Sequence, residues 1–317
     1  MLRPHRNVRT SPGLASIEAF GAESMRDTHG LEGPRSATTS TPPIGVVLGS
    51  IGVDIGWWLE SARRLEAAGY SGVWSWDHFI SRGVRTDPVL EAWTTLTAAA
   101  MRTTRITVGT WVANVMNRHP AVLARMATTL QEASGGRFVL GIGIGGHPAE
   151  HEAYGIPFPE PAERAARLRE AIAVLRALFA AGPATLEGEF YPLHDAYAAP
   201  IPNSPPPILI GAGTPAGVRI AASLGDGWAA ESDAFEHLEP RYREALAEAG
   251  RDRADQRVIL GFGGKRKRGD DPLAAHPLVV APRDELARWL EAGADELLLT
   301  ARTTEDVDAL VAATDRW

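Results

Sequence analysis

The sequence predicts an α/β protein that folds as a (β/α)8 TIM barrel. From Ile44 onward, short β-rich runs alternate with longer helical runs, and this alternation repeats eight times. The strand runs are almost continuously apolar, which is typical of parallel strands that are buried on both faces. Eight strand–helix units in one chain favour a closed barrel. A doubly wound open sheet is the alternative fold.

The first four units occupy residues 44–180. Their predicted strands are "IGVVLG", "SGVWSW", "RITVGTWV" and "RFVLGIGI". The helix after the first strand places Leu59, Ala62, Leu65 and Ala68 at helical spacing. Pro88 marks the start of the second helix, because proline is favoured in a first helical turn. The third helix is "PAVLARMATTLQEAS", and a long loop then leads to the amphipathic helix "PAERAARLREAIAVLRALFA".

The second half of the chain repeats this order. Its predicted strands are "PPILIGA", "DGWAAE", "RVILGFG" and "DELLLT". The helices that follow them are "PAGVRIAASL", "LEPRYREALAEAG", "PRDELARWLEAG" and "TEDVDALVAATDRW". A short insertion over residues 182–206, between helix four and strand five, indicates a small hairpin and a Pro-rich connector. A basic segment, "KRKRGDDPLAAHP", follows strand seven.

Residues 1–43 differ from the rest of the chain. They are rich in Arg, Ser, Thr, Gly and Pro and have few large apolar residues, which is typical of disordered segments. They lack the continuous apolar segment of a secretory signal. We expect a disordered tail, or an overlong translation start with the true start at Met25. One barrel domain over residues 44–317 follows.

The composition excludes several classes of function. The formal net charge of −7 offers no basic surface for a nucleic-acid partner. The absence of cysteine excludes a disulfide framework, thiolate metal sites and a cysteine nucleophile. No apolar run is long enough to span a bilayer. We therefore expect a cytoplasmic protein whose partners are neither nucleic acids nor membranes.

An acid and an imidazole stand side by side where the second strand ends. Asp77 and His78 lie within "WSWDHF", between aromatic residues. In a parallel barrel the carboxyl ends of the strands form one rim, where active sites are built. A carboxylate beside an imidazole can orient the ring and stabilise its charged form, which is the chemistry of a general acid. The alternative is a histidine with a purely structural hydrogen bond.

Several tryptophans are predicted at the same rim. Trp57 follows strand one, Trp76 ends strand two and Trp111 ends strand three, while Glu231 ends strand six. Large rings gathered at one rim would form a wall for a flat or apolar ligand. Core packing is the alternative for some of them.

The segment "GIGIGG", Gly141–Gly146, matches the pattern G-x-G-x-x-G. Glycines allow backbone N–H groups to approach anionic oxygens, so we expect a loop that approaches a ligand. A Rossmann site is not indicated, because the motif follows the fourth strand rather than opening the first unit. A flexible barrel loop is the alternative.

The next segment, "HPAEH", matches the metal-binding pattern H-x-x-E-H. That chemistry requires a helix that places His147 and His151 on one face, with Glu150 as base. The segment runs into "YGIPFPEP", which cannot remain helical. We therefore expect a polar rim loop without a metal, and a metal-dependent hydrolase remains a remote alternative.

Taken in order, these motifs resemble the luciferase-like flavin and deazaflavin oxidoreductases. The resemblance covers the chain from about Ile44 to its C-terminus. It is strongest in "RITVGTWVANVMNRHPAVLARMATTLQEASGGRFVLGIGIG" and in "ILIGAGTPAGVRIAASLGDGW". The segment "WDHF" is similar to the second-strand motif of members that use coenzyme F420. Flavin-using members more often carry a Glu-His-His pattern there.

The resemblance implies a deazaflavin ring over the carboxyl ends of the strands. Asp77 and His78 match positions beside the reactive face, with His78 as proton donor or acceptor and Asp77 as its orienting group. The third-strand end, where the family often has a strained peptide behind the ring, is matched by Thr110, Trp111 and Val112. The cofactor tail is matched by Gly143, Ile144 and Gly145, and its phosphate by Gly213 and Thr214. The basic residues Lys265–Arg268 are either a solvated loop or a contact for this acidic tail.

One departure concerns the substrate. The sugar-phosphate dehydrogenases of the family carry a catalytic Glu where this chain has Gly146, so we expect a small apolar or aromatic substrate instead. The leading hypothesis is an F420-dependent oxidoreductase that transfers a hydride, with His78 and Asp77 as catalytic residues. The alternatives are an FMN-dependent monooxygenase with a reductase partner, or a cofactor-binding protein without turnover. Members of the family often form homodimers.

Overall fold

The computed structural model describes residues 42–263 and 272–317, and eight parallel strands form a closed barrel in it. Strand β1 pairs with β2 on one side and with β11 on the other. The ring continues through β3, β5, β8, β9 and β10. The predicted (β/α)8 barrel is confirmed, and the open-sheet alternative is wrong because no edge separates β1 from β11. The barrel strands are β1 (Ile44–Leu48), β2 (Gly72–Ser75), β3 (Thr107–Thr110), β5 (Phe138–Gly143), β8 (Ile208–Gly211), β9 (Gly227–Glu231), β10 (Arg257–Phe262) and β11 (Glu296–Ala301).

The strands are apolar on both faces because each face meets a different part of the core. Inward-facing side chains fill the barrel, and the largest of them are Trp74 and Trp111. Outward-facing side chains, such as Val46 and Leu48 of β1, pack against the helical layer. This double burial explains the continuous apolar runs seen in the sequence.

Ten α-helices lie within the described ranges, and eight of them follow the barrel strands. They are α1 (Ile55–Ala67), α2 (Ala92–Ala100), α3 (Pro120–Ala133), α4 (Pro148–Tyr154), α5 (Pro161–Phe179), α6 (Pro215–Leu224), α7 (Ser232–Glu248), α8 (Pro277–Val280), α9 (Pro282–Glu291) and α10 (Thr304–Ala313). The short helices α4 and α8 are additions to the barrel pattern. No helix in the described ranges is long and apolar enough to cross a membrane.

Two predicted helix starts are wrong. Helix α2 begins at Ala92 rather than at Pro88, because the Glu91 side chain accepts a hydrogen bond from Thr94 N and caps the helix there. The segment before it is extended, with Val89 in an antiparallel bridge to Ile51. Helix α7 begins at Ser232 rather than at Leu238, and it contains Pro240 within its length.

The predicted insertion between helix four and strand five contains a hairpin. Strands β6 (Ala184–Leu186) and β7 (Leu193–Ala196) pair antiparallel. The Glu170 carboxylate on α5 accepts hydrogen bonds from the backbone N–H groups of Phe190 and Tyr191, which fastens the turn to the helical layer. Strand β4 (Ala113–Asn114) is a two-residue strand that pairs with β5 beside the pocket described below. The predicted N-terminal tail, apart from its last two residues, and the basic residues Lys265–Arg268 lie outside the described residues.

A glycine in β3 leaves space for the Trp74 ring in the barrel interior. A Cβ atom added at Gly109 would lie 2.3 Å from two carbons of the Trp74 ring. Trp74 is fully buried and cannot move away without disturbing its neighbours.

Gly109→Ala is therefore expected to destabilise the protein by about 1–3 kcal/mol, which is typical of overpacking a core. Urea denaturation, followed by circular dichroism, measures the change. Gly83→Ala is the control, because a Cβ there would meet only Ser81 Oγ, at 3.7 Å. Equal stability of both variants would contradict the assigned packing.

Candidate active site

A pocket of about 260 Å³ opens at the carboxyl ends of β2, β3, β5 and β8. This is the rim of a parallel barrel where ligands bind. Its lining comprises Asp77, His78, Arg82, Trp111, Val112, Asn114, Gly143–Gly146, His147, Glu150 and Gly211. A more open depression of about 460 Å³ lies beside the end of α7. It is not a candidate site, because its arginines are already engaged by groups such as Glu239, Ala222 O and Asp295.

The Asp77 carboxylate is buried and forms an ion pair with Arg118. Its Oδ2 atom accepts hydrogen bonds from Arg118 Nη1 at 2.8 Å and from Asn114 N at 2.9 Å. Burial alone would lower the pKa of Arg118, but the charges of Asp77 and Glu91 outweigh burial and raise it. Arg118 is therefore charged. Asp77 Oδ1 is buried and has no hydrogen-bond donor among the described residues.

The structure does not support the prediction that Asp77 orients His78. The imidazole Nδ1 atom of His78 lies 3.0 Å from Glu150 Oε2, whereas the Asp77 carboxylate is held by Arg118 and the segment Asn114–Asn117. Adjacent residues in extended backbone direct their side chains to opposite sides. The prediction was therefore wrong about the partner, although both residues line the pocket.

Glu150 is the carboxylate that contacts the His78 ring. Its side chain is 1% exposed, and its second oxygen accepts a hydrogen bond from the Phe79 backbone N–H. Burial raises the pKa of Glu150, but the hydrogen bonds from His78 and from Phe79 outweigh burial and lower it below the usual value. Glu150 is therefore ionised at neutral pH.

The segment "HPAEH" is helical, so the prediction of a loop there is wrong. Helix α4 begins at Pro148 and ends at Tyr154, and the capping residue Gly155 has a left-handed φ of 65°. Proline at the start and glycine at the end are favourable signals even for a helix of seven residues. The helix turns Glu150 toward β2 and buries it.

The histidines of this segment do not form the H-x-x-E-H arrangement that the metal-dependent hydrolase alternative requires. His151 Nε2 lies 2.7 Å from Asn114 Nδ2, and its ring packs on Phe158. His147 Nδ1 lies 3.5 Å from Glu150 Oε2. Ligand-type atoms of His78, His147 and Glu150 lie within 4.8 Å of one another, but Glu150 and His78 already satisfy each other by a hydrogen bond. His151 is therefore not available as the metal ligand that the hydrolase alternative requires.

The end of β3 forms the floor of the pocket. Trp111 stands over Gly261, where an added Cβ would lie 2.6 Å from the ring, and its Nε1 donates a hydrogen bond to Glu231. Val112 fits between Gly143 and Gly211, and a cis peptide joins it to Trp111. Thr110 is buried beneath this floor and donates to Gly141 O at 2.6 Å, so it positions the strand rather than lining the pocket.

The loop after β5 forms one side of the pocket. Gly145 has a φ of 75°, and a Cβ there would lie 2.5 Å from Asn114 Oδ1, so glycine is required. From α5, Arg164 donates to the carbonyls of Ile144 and Gly145 at 3.0 and 2.7 Å. The guanidinium carbon lies 3.9 Å from the centre of the Phe158 ring. These contacts hold Gly143, Ile144 and Gly145 against the pocket.

Six predicted residues lie outside the pocket lining: Trp57, Trp76, Thr110, Gly213, Thr214 and Glu231. Trp57 donates its Nε1 proton to Thr304 Oγ1, and the Trp76 ring packs against Arg302. Thr214 caps α6 by accepting a hydrogen bond from Gly217 N, and it is exposed together with Gly213. The predicted tryptophan wall is therefore reduced to Trp111. Glu231 accepts a hydrogen bond from Nε1 of Trp111, which lines the pocket.

Sequence reasoning missed three residues that shape the site: Arg118, Asn114 and Arg164. The "RHP" motif before α3 contains Arg118, and an arginine just before a helix is the one available signal. Nothing in the sequence pattern indicates the contacts of Asn114 or Arg164, which cross between different units of the barrel.

Comparison with known proteins identifies the family. The family model described as "Luciferase-like monooxygenase" matches residues 36–263. The chain belongs to this family. The luciferase-like resemblance predicted from the sequence is thereby confirmed.

Relatives and structural neighbours of this chain carry several activities in their names. A protein named F420-dependent glucose-6-phosphate dehydrogenase, from Kineococcus radiotolerans, is 38% identical over 198 residues, which are 61% of this chain and 58% of the relative. The match therefore spans less than two thirds of that relative's length.

The solved structure of an F420-dependent secondary alcohol dehydrogenase with an F420-acetone adduct has a TM-score of 0.72 and 21% identity, covering 86% of this chain and 99% of that one. A coenzyme F420-dependent tetrahydromethanopterin reductase from Methanopyrus kandleri has a TM-score of 0.70 and 19% identity, covering 87% and 98%. At these identities the two structures support the luciferase-like barrel fold alone.

The Asp77–Arg118 ion pair gives a testable prediction about stability. Arg118→Met leaves a buried carboxylate without its cation, so we expect a loss of about 3 kcal/mol of unfolding free energy. Chemical denaturation measures the loss. The double variant Asp77→Asn, Arg118→Met should lose less, because no uncompensated charge remains.

Arg169→Met is the matched control, since Arg169 is exposed on α5 and a surface substitution costs little. If Arg118→Met is no more destabilising than this control, the ion pair is not a stabilising contact.

Proposed function

We propose that the protein is a coenzyme F420-dependent oxidoreductase that transfers a hydride between the deazaflavin and a small organic substrate. The observation that carries this proposal is a rim pocket that holds both a free ring nitrogen of His78 and the unpaired buried oxygen of Asp77. The names of the relatives support the choice of cofactor.

The residues of the pocket fit a flat cofactor ring. Asp77 Oδ1 is a buried acceptor without a donor, and an N–H or O–H group of a bound ring would satisfy it. Val112 presents an apolar surface, since the glycines at 143 and 211 leave no side chains beside it. The loop Gly143–Gly145 has the open backbone that a cofactor tail requires.

Coenzyme F420, when bound, supplies the ring that exchanges the hydride with the substrate. The chain then has to bind the reactants, orient them and move one proton. Because Nδ1 of His78 is engaged by Glu150, Nε2 is the ring atom left for proton exchange, and it has no partner among the described residues. Asp77 and Arg118 hold the neighbouring backbone, and Trp111 limits the pocket on the barrel side.

The side chains that line the pocket also limit the class of substrate that it can bind. Gly146 leaves no side chain at the position where the sugar-phosphate dehydrogenases of the family carry a Glu, and an added Cβ there would meet nothing within 4 Å. Apolar contacts come from Trp111, Val112 and Ile144. We therefore propose a small, partly apolar substrate. Of the three tryptophans that the sequence placed at the substrate site, only Trp111 is among the lining residues that support this proposal.

The first prediction concerns the cofactor. Titration of the purified protein with coenzyme F420 should quench tryptophan fluorescence saturably, because Trp111 lines the pocket and is one of nine tryptophans in the chain. A parallel titration with FMN should quench it much less. A preference for FMN would favour a monooxygenase instead, and binding of neither would contradict the proposal.

The second prediction concerns His78. His78→Ala should lower turnover by about 100-fold or more, which is typical for loss of a general acid or base. Its affinity for the cofactor should change far less. His194→Ala, an exposed histidine on β7, is the control and should retain full turnover. Unchanged turnover in His78→Ala would remove this residue from the mechanism.

A further inference from the structure

We propose that Glu150 is a positioning residue that orients the His78 ring and stabilises its protonated form. The pair Glu150–His78 would then be the proton-transfer unit of the pocket. The catalytic part of this inference rests on the proposed function. The pairing itself is a property of the protein without cofactor or substrate.

The first argument is the burial of Glu150. A carboxylate that is 1% exposed must be paired or hydrogen-bonded, since burying a bare charge is costly. Glu150 uses one oxygen for the backbone N–H of Phe79 and the other for the His78 ring. Two consecutive residues after β2 are therefore held by one carboxylate. This arrangement fixes the ring and the backbone behind it together.

The second argument is that the ring atoms of His78 are divided between two tasks. Nδ1 faces the carboxylate at 3.0 Å, and the side chain is 25% exposed on the pocket side. Nε2 is thus available to a substrate. Asp77 does not orient the ring, because its Oδ2 atom binds Arg118 and Asn114 and its Oδ1 atom has no hydrogen-bond partner among the described residues. An ionised carboxylate in contact with an imidazole favours the charged imidazole.

The third argument comes from the other charged groups around His78. Burial and the charge of Arg82 lower the pKa of His147 below its usual value, although Glu150 acts in the opposite direction. His147 is therefore neutral at neutral pH, and its ring meets the His78 ring edge-on at 5.9 Å. Asp77 and Arg118 neutralise each other. Arg82 also lines the pocket as a cation, but Glu150 is the charged group in direct contact with the His78 ring, at 3.0 Å.

Helix α4, whose first residue is Pro148, brings the Glu150 side chain to the pocket. The carboxylate acts on the imidazole and does not need to touch the substrate.

The test uses Glu150→Gln in the full-length protein. Glutamine keeps the size of the side chain and removes its charge. We expect kcat to fall by roughly ten- to 100-fold, less than in His78→Ala, because the proton-transfer group is still present. Cofactor affinity should remain within about twofold of the wild type. The alkaline limb of the kcat profile should move to lower pH, since the charged imidazole has lost its partner.

Glu152→Gln is the matched control, because Glu152 is exposed on the same helix. It should leave kcat and the pH profile unchanged. If Glu150→Gln lowers kcat without moving the pH profile, the role of Glu150 is structural and the inference is overturned. An equal loss of cofactor affinity and kcat would overturn it as well.

Histidine-selective ¹⁵N NMR of the cofactor-free protein tests the pairing independently of turnover. The His78 signals are assigned by their loss in His78→Ala. We expect a proton on Nδ1 of the neutral ring, and a titration midpoint that moves to lower pH in Glu150→Gln but not in Glu152→Gln. A proton on Nε2 or an unmoved midpoint would overturn the inference. A coupled pair in a protein that binds neither F420 nor FMN would overturn the proposed function alone.

Discussion

The pairing of β1 with β11 is the constraint on which the remaining structure depends. It joins the first and last strands of the domain, from Ile44 opposite Leu297 to Leu48 opposite Ala301. Once the ring is closed, all eight strands end on one rim, and side chains far apart in the sequence become neighbours. Glu150 and His78 are 72 residues apart, and Trp111 and Glu231 are 120 apart. Closure therefore creates the pocket.

Two buried carboxylates then organise the pocket, and each has a different kind of partner. Asp77 is held by a guanidinium that stays charged, so this pair is a permanent support for the backbone after β2. Glu150 is paired with the imidazole of His78. The protein thus places a carboxylate–guanidinium pair beside a carboxylate–imidazole pair. The first pair supports the backbone after β2, and the second is the one to which we assign the proposed proton transfer.

Glycines and large rings fit together around the barrel interior. Gly109 accommodates Trp74, Gly261 accommodates Trp111, and Val112 occupies the space left by two further glycines. In a close-packed interior, a ring of this size requires such gaps in the neighbouring strands. The edge-on contact of Trp74 with Trp111 connects the barrel core to the pocket floor. The shape of the ligand site is therefore continuous with the packing of the core.

The sequence by itself determined the barrel, because apolar strand runs and helical periodicity are local patterns that repeat eight times. It also placed Asp77, His78, Trp111 and the glycine loop at the correct rim, since a residue after a parallel strand has only one rim to occupy. Only the tertiary structure decided which carboxylate meets which cation. The adjacent pair Asp77–His78 is split between Arg118 and Glu150, and Trp57 and Trp76 turn to other partners. Such contacts depend on side-chain direction and on helix α4, which packs across from a different unit. The periodicity of the sequence therefore does not predict these contacts.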